Sequence, residues 1–423
     1  MRAKMPKHSN LVFVLAAMLL VLVSPASCAA PPQPRRDPVV VPVTKDPATS
    51  LYTIPVRFYD NLVIDLAGPL AWSTCADDHL PASFSCQDPT CKLANAYRAP
   101  SCPARGGDDC SRQKVCQVYP YNPVASQCAA GNLVHTRFIA NTTDGKNPLS
   151  QVSVKAVAAC APKKLLASLP SDATGVAGLA SSGLALPAQV VSSQNVANKF
   201  LLCLPRLDYG QGVAIFGGGP LYLLEGQPEL TSTLEHTPLL KNKDNPSYYI
   251  SVKAIALDYA QLPLPRRALA TGGVVLHTRV PYTLLRPDVY SPFVRAFEKG
   301  MNRSDAKVAA VAPFGLCYRS SALWNTRIGY YSPSVTLTLE GGKNYTMTGT
   351  NTLVNVNNRD TACLAFVEMK GVKAGDAQSP AAIIGGFQME HFVLQFDLEK
   401  QQLGFARLPY YVSCSQFNFT KLH

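Results

Sequence analysis

The number of cysteines limits what this chain can fold into more than any other feature. Thirteen cysteines occur among 423 residues, and all except Cys28 lie beyond the N-terminal thirty residues. Twelve is an even number, and an even number of cysteines in a secreted chain predicts disulfides, here six. No Cys-x-x-Cys or His-x-x-x-His spacing accompanies them, so we predict that neither a metal nor another cofactor is bound. The twelve are Cys75, Cys86, Cys91, Cys102, Cys110, Cys116, Cys128, Cys160, Cys203, Cys317, Cys363 and Cys414.

Eight of these cysteines crowd into a polar stretch between Cys75 and Cys160 that has weak hydrophobic periodicity. Such a stretch cannot form much of an apolar core, and disulfides can stabilise it instead. We therefore predict a loop-rich insertion whose eight cysteines pair among themselves.

The first thirty residues have the pattern of a signal peptide. Three basic residues precede an apolar run over 11–23, and the small residues Ala29 and Ala30 suit cleavage. The run is short for a membrane helix, and no later segment reaches the ~18 apolar residues that a membrane span needs. We predict a secreted protein of the extracellular space or cell wall, without a membrane partner.

The charge balance indicates what kind of partner such a protein meets. The net charge is +12, and the three basic residues of the leader reduce 39 Lys and Arg to 36, against 27 Asp and Glu. The remaining charge of +9 favours an acidic partner, such as an acidic enzyme or an acidic wall polysaccharide. Nucleic acid is excluded, because the chain has no RNP-like motif, zinc-finger spacing or basic helix. We expect a monomer.

Hydrophobic alternation predicts an all-β protein. Short strand-like runs recur at ~8–12 residue spacing, and 34 prolines and 27 glycines separate them. Two helices are predicted, at Pro187–Asn195 and Pro287–Lys299. The predicted organisation is a signal peptide at 1–30, a proline-rich segment at 31–50, an N-terminal β lobe with the cysteine-rich insertion at 51–235 and a C-terminal β lobe at 236–423.

Two segments of the chain echo one another. NLVIDLAGPLAWSTC, from Asn61, and GGVVLHTRVPYTLLRP, from Gly272, each place an apolar strand before a tight turn. A weak duplication at this long period predicts two similar lobes that face each other.

These two segments resemble the catalytic loops of pepsin-like aspartic proteases, in which each lobe supplies one aspartate to a shared cleft. The phrases GVAIFGGGP, PYTLLRPDVY, TACLAFVEMKGV and GFARLPYY are similar to a plant extracellular branch, the TAXI-type xylanase inhibitors. Xyloglucanase-inhibiting and basic 7S-globulin-like proteins are relatives of that branch. The resemblance implies a bilobal, disulfide-rich pepsin-like fold with few short helices. It also implies that Cys317 pairs with Cys363 and that Cys203 pairs with Cys414.

The resemblance implies a protein without protease activity. The first loop retains Asp65, but Leu66 and Ala67 replace the residues that follow it in an active enzyme. The second loop carries His277 where the other carboxylate belongs, and Arg279 at a glycine position that should not accept a side chain without rearrangement. A lone aspartate beside a histidine has no second carboxylate with which to share a proton, so it cannot perform the aspartic-protease mechanism. We expect Asp65 to be a relic that pairs with His277 or with backbone amides.

The resemblance implies that the protein binds microbial glycoside hydrolases, chiefly family 11 xylanases. In TAXI-type inhibitors a C-terminal histidine enters the enzyme's cleft between two carboxylates. Tyr410 occupies that position here, and Val412 replaces a threonine that also contacts the enzyme. A second contact loop corresponds to about Leu323–Ile328. The predicted contact residues are Tyr410, Tyr411, Val412, Leu323, Trp324 and Arg327.

Several alternatives stay open at this point. Tyr410 and Tyr411 would pack the C-terminal strand if they have no partner, and Trp324 and Arg327 would form an ordinary loop tip. The target could be another glycoside hydrolase such as a xyloglucanase, or the protein could be a storage or receptor-type wall protein. An atypical secreted aspartic-type endopeptidase is the enzymatic alternative. The candidate glycosylation sites are Asn141, Asn302, Asn344 and Asn418.

Overall fold

Short strands recur throughout the part of the chain that the structure describes, some with alternating and others with continuously buried residues. The structure is a computed structural model, and it describes residues 1, 35–57, 60–75, 84–99, 102–103, 114–206 and 210–420. The predicted signal peptide, apart from its first residue, lies outside these ranges, and so does Cys110. The pepsin-like all-β fold with few short helices is confirmed.

The described part of the first half of the sequence contains twelve strands. They are β1 (Val39–Lys45), β2 (Tyr52–Arg57), β3 (Asp60–Asp65), β4 (Trp72–Thr74), β5 (Gln117–Val118), β6 (Tyr121–Asn122), β7 (Gln127–Cys128), β8 (Gly131–Thr143), β9 (Pro148–Ala161), β10 (Ala173–Gly178), β11 (Lys199–Cys203) and β12 (Gly212–Phe216).

The described part of the second half contains eighteen strands, most of them short. They are β13 (Glu235–Leu240), β14 (Tyr249–Ile250), β15 (Val252–Leu257), β16 (Ala260–Gln261), β17 (Val274–Leu276), β18 (Thr283–Leu285), β19 (Lys307–Val308), β20 (Cys317–Arg319), β21 (Asn325–Thr326), β22 (Gly329–Tyr330), β23 (Val335–Leu339), β24 (Asn344–Met347), β25 (Leu353–Val356), β26 (Thr361–Leu364), β27 (Phe366–Glu368), β28 (Ala382–Ile384), β29 (Phe392–Asp397) and β30 (Gln402–Arg407).

Both predicted helices are present, with ends that follow from their sequence. The described α-helices are α1 (Pro89–Ala94), α2 (Leu186–Gln194), α3 (Pro287–Met301), α4 (Gly349–Thr352) and α5 (Gly386–Met389). Proline stands in the first turn of α2 and α3, where its missing N–H costs no hydrogen bond. Asn195 and Asn302 end these two helices in the left-handed conformation that asparagine tolerates. Among the described residues no helix is long and apolar enough to cross a membrane.

Strands from both halves of the sequence share one large sheet. Strand β11 pairs antiparallel with β29, and β13 pairs antiparallel with β30. The rings of Phe200 on β11 and Phe396 on β29 stack with their centroids 4.6 Å apart, and Tyr248 packs against Phe396 at 4.7 Å. The core therefore connects the two predicted lobes, and the predicted boundary after residue 235 falls at the start of β13.

Five disulfides join described cysteines. They are Cys75–Cys160, Cys91–Cys116, Cys102–Cys128, Cys203–Cys414 and Cys317–Cys363. Cys86 is also disulfide-bonded. The two pairs predicted for the remaining four cysteines are confirmed, and the three described pairs of the insertion join insertion cysteines to one another, as predicted.

Candidate functional site

Two equivalent loops meet at the base of a cavity. The first loop follows β3, which ends at Asp65, and the parallel strand β10 places Gly178 opposite Asp65. The second loop follows β17, and His277 comes directly after this strand, beside the parallel strand β28. A backbone hydrogen bond ties Asp65 to the residue that follows β10, and another ties His277 to the last residue of β28. The amide of Leu179 donates to the carbonyl of Asp65 (2.8 Å), and the amide of His277 donates to the carbonyl of Ile384 (3.0 Å).

The first turn needs glycine because two backbone segments approach closely. A Cβ on Gly68 would lie 2.9 Å from the Cα of Gly178. Real Cβ atoms do not approach a backbone atom so closely, so a larger residue at either position would push the loop away from β10. This contact fixes where Asp65 enters the cavity.

Asp65 is held by a backbone amide. Its Oδ1 accepts a hydrogen bond from the amide of Ala67 at 2.9 Å. Its side chain is buried, and burial raises the pKa of the carboxyl although the nearby Arg279 opposes the shift. Of the two pairings expected from the sequence, the one with backbone amides is therefore present. The neutral form of Asp65 is favoured more than for an exposed aspartate.

His277 is buried in a different way. Burial lowers the pKa of its imidazole well below the usual value, and the positive charge of Arg279 acts in the same direction. Its Nδ1 has no hydrogen-bond partner within the part of the chain that the structure describes. The side chain is therefore a neutral imidazole with an unused polar atom.

The turn after His277 accommodates Arg279, contrary to the expectation from the sequence. Its side chain is half-buried and lines the cavity together with Asp65 and His277. The residue does not adopt a left-handed conformation, so a side chain is tolerated at this position. The cavity has a volume of about 450 Å³, and a tryptophan and three tyrosines are among the residues that line it. No cluster of His, Cys, Asp or Glu in the described ranges could hold a metal ion.

A second candidate site lies on the surface and consists of a hairpin and the C-terminal segment. Strands β21 and β22 form the hairpin, with Arg327 at its tip. Trp324 precedes the hairpin and is 76% exposed, and the amide of Tyr331, also exposed, donates to its carbonyl at 2.8 Å. The indole is too exposed to serve as core packing.

The C-terminal segment meets this hairpin through one contact. The Arg327 guanidinium lies over the ring of Tyr410, 5.5 Å from the ring centroid, and its Nη1 is 3.4 Å from the tyrosine hydroxyl. Tyr410 and Tyr411 are 59% and 50% exposed, and their rings pack edge to face at 5.3 Å. We call the set of Trp324, Arg327, Tyr331, Tyr410 and Tyr411 the aromatic patch.

The predicted contact residues Leu323 and Val412 are not part of this surface. Both are buried, with 6% of each residue exposed. Val412 packs among apolar residues next to the Cys203–Cys414 disulfide, and the core covers Leu323. In this conformation their side chains support the two segments, and no partner can reach them.

The candidate glycosylation sites differ in access. Asn302 and Asn344 are exposed, while Asn141 and Asn418 are half-buried. The Oδ1 of Asn418 accepts hydrogen bonds from the amide and hydroxyl of Thr420. Glycosylation of any of them stays a prediction.

Sequence reasoning did not find the buried charged groups of the described residues, of which Glu390 and Arg286 are examples. Glu390 accepts hydrogen bonds from Lys45 (2.6 Å) and from the hydroxyl of Tyr52 (2.8 Å). Arg286 is fully buried, pairs with Asp288 at 2.7 Å and donates to several backbone carbonyls. Each charge is compensated, so both groups act in the fold and not at a ligand site. For the buried pair of Arg286 and Asp288, the only signal in the sequence was the Arg-Pro-Asp run at the start of α3.

Comparison with known proteins identifies relatives over most of the chain. The family profiles described as Xylanase inhibitor N-terminal and Xylanase inhibitor C-terminal match residues 52–218 and 247–407. The protein named Chitinase CLP from Oryza sativa subsp. japonica is 49% identical over 395 residues, which cover 90% of this chain and 92% of that relative. Two crystal structures are also similar. That of EDGP has a TM-score of 0.81 and 30% identity, and covers 92% of this chain and 100% of its own. That of basic 7S globulin from soybean has a TM-score of 0.74 and 27% identity, and covers 90% of this chain and 99% of its own.

Proposed function

This chain belongs to the xylanase inhibitor family, and we propose that it is a secreted, non-catalytic protein that binds a microbial glycoside hydrolase through the aromatic patch. The observation that carries the proposal is the contact between Arg327 and Tyr410. These residues are 83 positions apart and lie in the two segments that the family resemblance assigned to enzyme contact. The fold joins these two segments into one exposed surface.

The composition of the patch supports a binding role. Trp, Tyr and Arg are the residues enriched in binding hot spots, because they bury large areas and lose little conformational entropy. Four of the five patch residues are exposed aromatic side chains. A storage protein would gain nothing from keeping these rings in water, so the patch favours the binding reading over the storage reading.

The charge of the chain supports an acidic partner. The net charge of +9 after removal of the predicted leader would accelerate encounter with an acidic hydrolase or an acidic wall polysaccharide. This effect acts mainly on the association rate and weakens at high salt. The predicted signal peptide places the encounter outside the cell.

Loss of protease activity follows from the chemistry of the two loops. Aspartic proteases use two carboxylates that share a proton, one as acid and the other as base. Asp65 supplies one carboxylate here, and the equivalent loop presents His277. The buried imidazole favours its neutral form, so it cannot replace a carboxylate that shares a proton. We propose that the cleft does not hydrolyse peptides.

The identity of Tyr410 sets the expected target. A histidine between two carboxylates gains a charge when it is protonated, but the phenol of a tyrosine there offers only a neutral hydrogen-bond donor. We therefore propose weak or absent inhibition of family 11 xylanases. A glycoside hydrolase with a different cleft, such as a xyloglucanase, is the better candidate target.

Direct binding measurements test this proposal. The secreted protein is immobilised, and binding of a purified family 11 xylanase, a xyloglucanase and other fungal glycoside hydrolases is measured by surface plasmon resonance. We expect a hydrolase to bind with at least micromolar affinity, and the double variant Trp324→Ala/Tyr410→Ala to lose at least tenfold. Tyr259→Ala is the matched control, since this tyrosine is 99% exposed and lies outside the patch. Binding that depends on Tyr259 and not on the patch would refute the proposal.

A second candidate function concerns chitin. The relative that shares 49% identity is named a chitinase, and two carboxylates, Asp65 and Asp244, line the cavity together with several tyrosines. Glycoside hydrolysis generally needs a carboxyl pair, one of them with a raised pKa, and burial raises the pKa of Asp65. Release of sugars from chitin oligosaccharides by native protein, but not by Asp65→Asn, would favour this candidate over the non-catalytic one.

A further inference from the structure

The cavity between the two loops has the size and lining of a small-molecule site. Its volume of about 450 Å³ lies within the range of roughly 300–1,000 Å³ that is usual for ligand pockets. Four of the lining residues have flat aromatic side chains, and such faces bind the apolar face of a ring. They are Trp72, Tyr97, Tyr119 and Tyr121.

The wall is stiff on one side. Trp72 is almost fully buried, and its Nε1 donates to the carbonyl of Tyr121 at 2.9 Å. This hydrogen bond ties β4 to the backbone of β6 and fixes the orientation of the Trp72 indole. A preformed indole face loses less conformational entropy when a ring binds to it.

The charges in the cavity favour an acidic ligand. The guanidinium of Arg279 lines the cavity and, among the residues that the structure describes, forms no ion pair or hydrogen bond. Arg98 adds an exposed positive charge, and Asp244 an exposed negative one. Among the described lining residues the other acid is Asp65, which is buried and whose Oδ1 accepts a hydrogen bond from the amide of Ala67. Arg279 is therefore the lining cation that is left to pair with the acid group of a ligand.

His277 lies beside the cavity with an unsatisfied nitrogen. Only 3% of this residue is exposed, it lines the cavity, and its Nδ1 has no hydrogen-bond partner among the described residues. Buried polar atoms are normally satisfied. Because Nδ1 is itself buried, a ligand reaches it only if the imidazole turns toward the cavity.

We infer that this cavity binds a small acid built on a ring with an apolar face, whose carboxylate pairs with the Arg279 guanidinium while its ring lies against the aromatic wall. A bidentate pair with a guanidinium suits a planar carboxylate. Two sources supply this chemistry, an aromatic acid and a uronic-acid sugar. The site is separate from the aromatic patch, and the inference does not depend on the proposed function.

Calorimetric titration of the native protein with matched pairs of compounds tests the inference. The aromatic pair is 3-phenylpropionate and 3-phenylpropionamide, and the sugar pair is digalacturonate and neutral galactobiose. We expect the acid of at least one pair to bind about tenfold more tightly than its neutral partner, because a charge-assisted bond is stronger than a neutral one. The pair that shows the difference identifies the source. Equal affinities within both pairs, or no binding by either acid at millimolar concentration, would overturn the inference.

Variants locate the site. Arg279→Gln should reduce the preference for the acid about tenfold. Arg279→Lys should retain part of this preference, because lysine keeps the positive charge but cannot form a bidentate pair with a carboxylate. The exposed Arg266→Gln is the control for net charge, and we expect it to bind the acid like native protein. Thermal unfolding of each variant checks that it folds. An unchanged preference in folded Arg279→Gln, or tighter binding of diacetylchitobiose than of both acids, would contradict the inference. Arg279→Gln should leave hydrolase binding at the aromatic patch intact, so the two proposals fail separately.

Discussion

The hydroxyl of Thr278 joins the two loops across 214 residues of sequence, because it donates to the backbone carbonyl of Ile64 at 2.6 Å. The same oxygen accepts from the amide of Leu66 at 3.3 Å. Thr278 is fully buried. The first loop has no equivalent hydroxyl, since Leu66 occupies that position. The second loop therefore hydrogen-bonds to the backbone of the first through Thr278, and no side chain makes the reciprocal bond.

Thr278→Val should destabilise the protein by about 2–3 kcal/mol, because it leaves a buried carbonyl and a buried amide without their partner. Thr336→Val is the matched control, since this threonine is half-buried and its hydroxyl lies 3.1 Å from that of Thr346. We expect that control to change stability by about 0.5 kcal/mol or less. Urea unfolding measures both. Equal losses for the two variants would show that Thr278 has no special role.

Asp65→Asn should stabilise the protein at pH 7 and have little effect at pH 3. Burial raises the pKa of this carboxyl in the folded state above its unfolded value. The stability that the protonated form contributes is present below the unfolded pKa and is lost as pH rises through the folded pKa. The asparagine mimics the protonated form, so we expect a gain in the free energy of unfolding at pH 7. A loss of stability in Asp65→Asn at pH 7 would mean that hydrogen bonds to the charged carboxylate already compensate for its burial.

His391→Asn should flatten the loss of stability in acid. Burial, with Arg206 and Arg407 nearby, lowers the pKa of His391 to about 3. The unfolded chain binds a proton near pH 6.5 and the folded chain does not, so stability falls by about 1.4 kcal/mol per pH unit between these values. Asparagine suits the left-handed backbone at this position, where φ is 64°. Unfolding curves from pH 7 to 4 measure the slope, with the exposed His236→Asn as control. An unchanged slope in His391→Asn would contradict the assignment.

Removal of the Cys203–Cys414 disulfide should destabilise the chain more than removal of a short-range pair. This bond closes a loop with a sequence separation of 211, against 25 for Cys91–Cys116. Chain entropy predicts losses of about 5 and 3.5 kcal/mol respectively. The double alanine variants are compared by denaturant unfolding. If the Cys91–Cys116 variant loses more stability, the length of the closed loop does not decide the contribution of these bonds.

Much of the fold could be predicted from the sequence because its causes are local. The apolar runs that precede Asp65 and His277 gave both strands, and the prolines at 187 and 287 marked the start of both helices. The echo between the two loop segments predicted that they are equivalent. In the structure, Asp65 and His277 each stand at the end of a strand that has a parallel neighbour, and both residues line the same cavity.

The features that the sequence did not predict depend on contacts between distant residues. Tyr410 is exposed and Val412 is buried, but the segment is not a regular strand, so no periodicity separates them. The position of Arg279 depends on the open space of the cavity, which no local pattern describes. The buried pair of Lys45 and Glu390 spans 345 residues, and each residue looks like an ordinary surface charge in its own segment.

The central claim is that the aromatic patch is the inhibitory surface, and inhibition titrations of glycoside hydrolases test it most directly. With a family 11 xylanase, Tyr410→His should improve weak native inhibition about five- to thirtyfold near pH 5, because a protonated imidazole forms a charge-assisted pair with the enzyme's carboxylates. Val412→Thr should add nothing, since that side chain is buried.

With the hydrolase that the native protein inhibits best, Arg327→Ala and Tyr410→Ala should each weaken inhibition at least tenfold. Tyr259→Ala should leave it unchanged. Inhibition should therefore depend on the patch residues and not on the control residue. Tight native inhibition that survives both Arg327→Ala and Tyr410→Ala would contradict it.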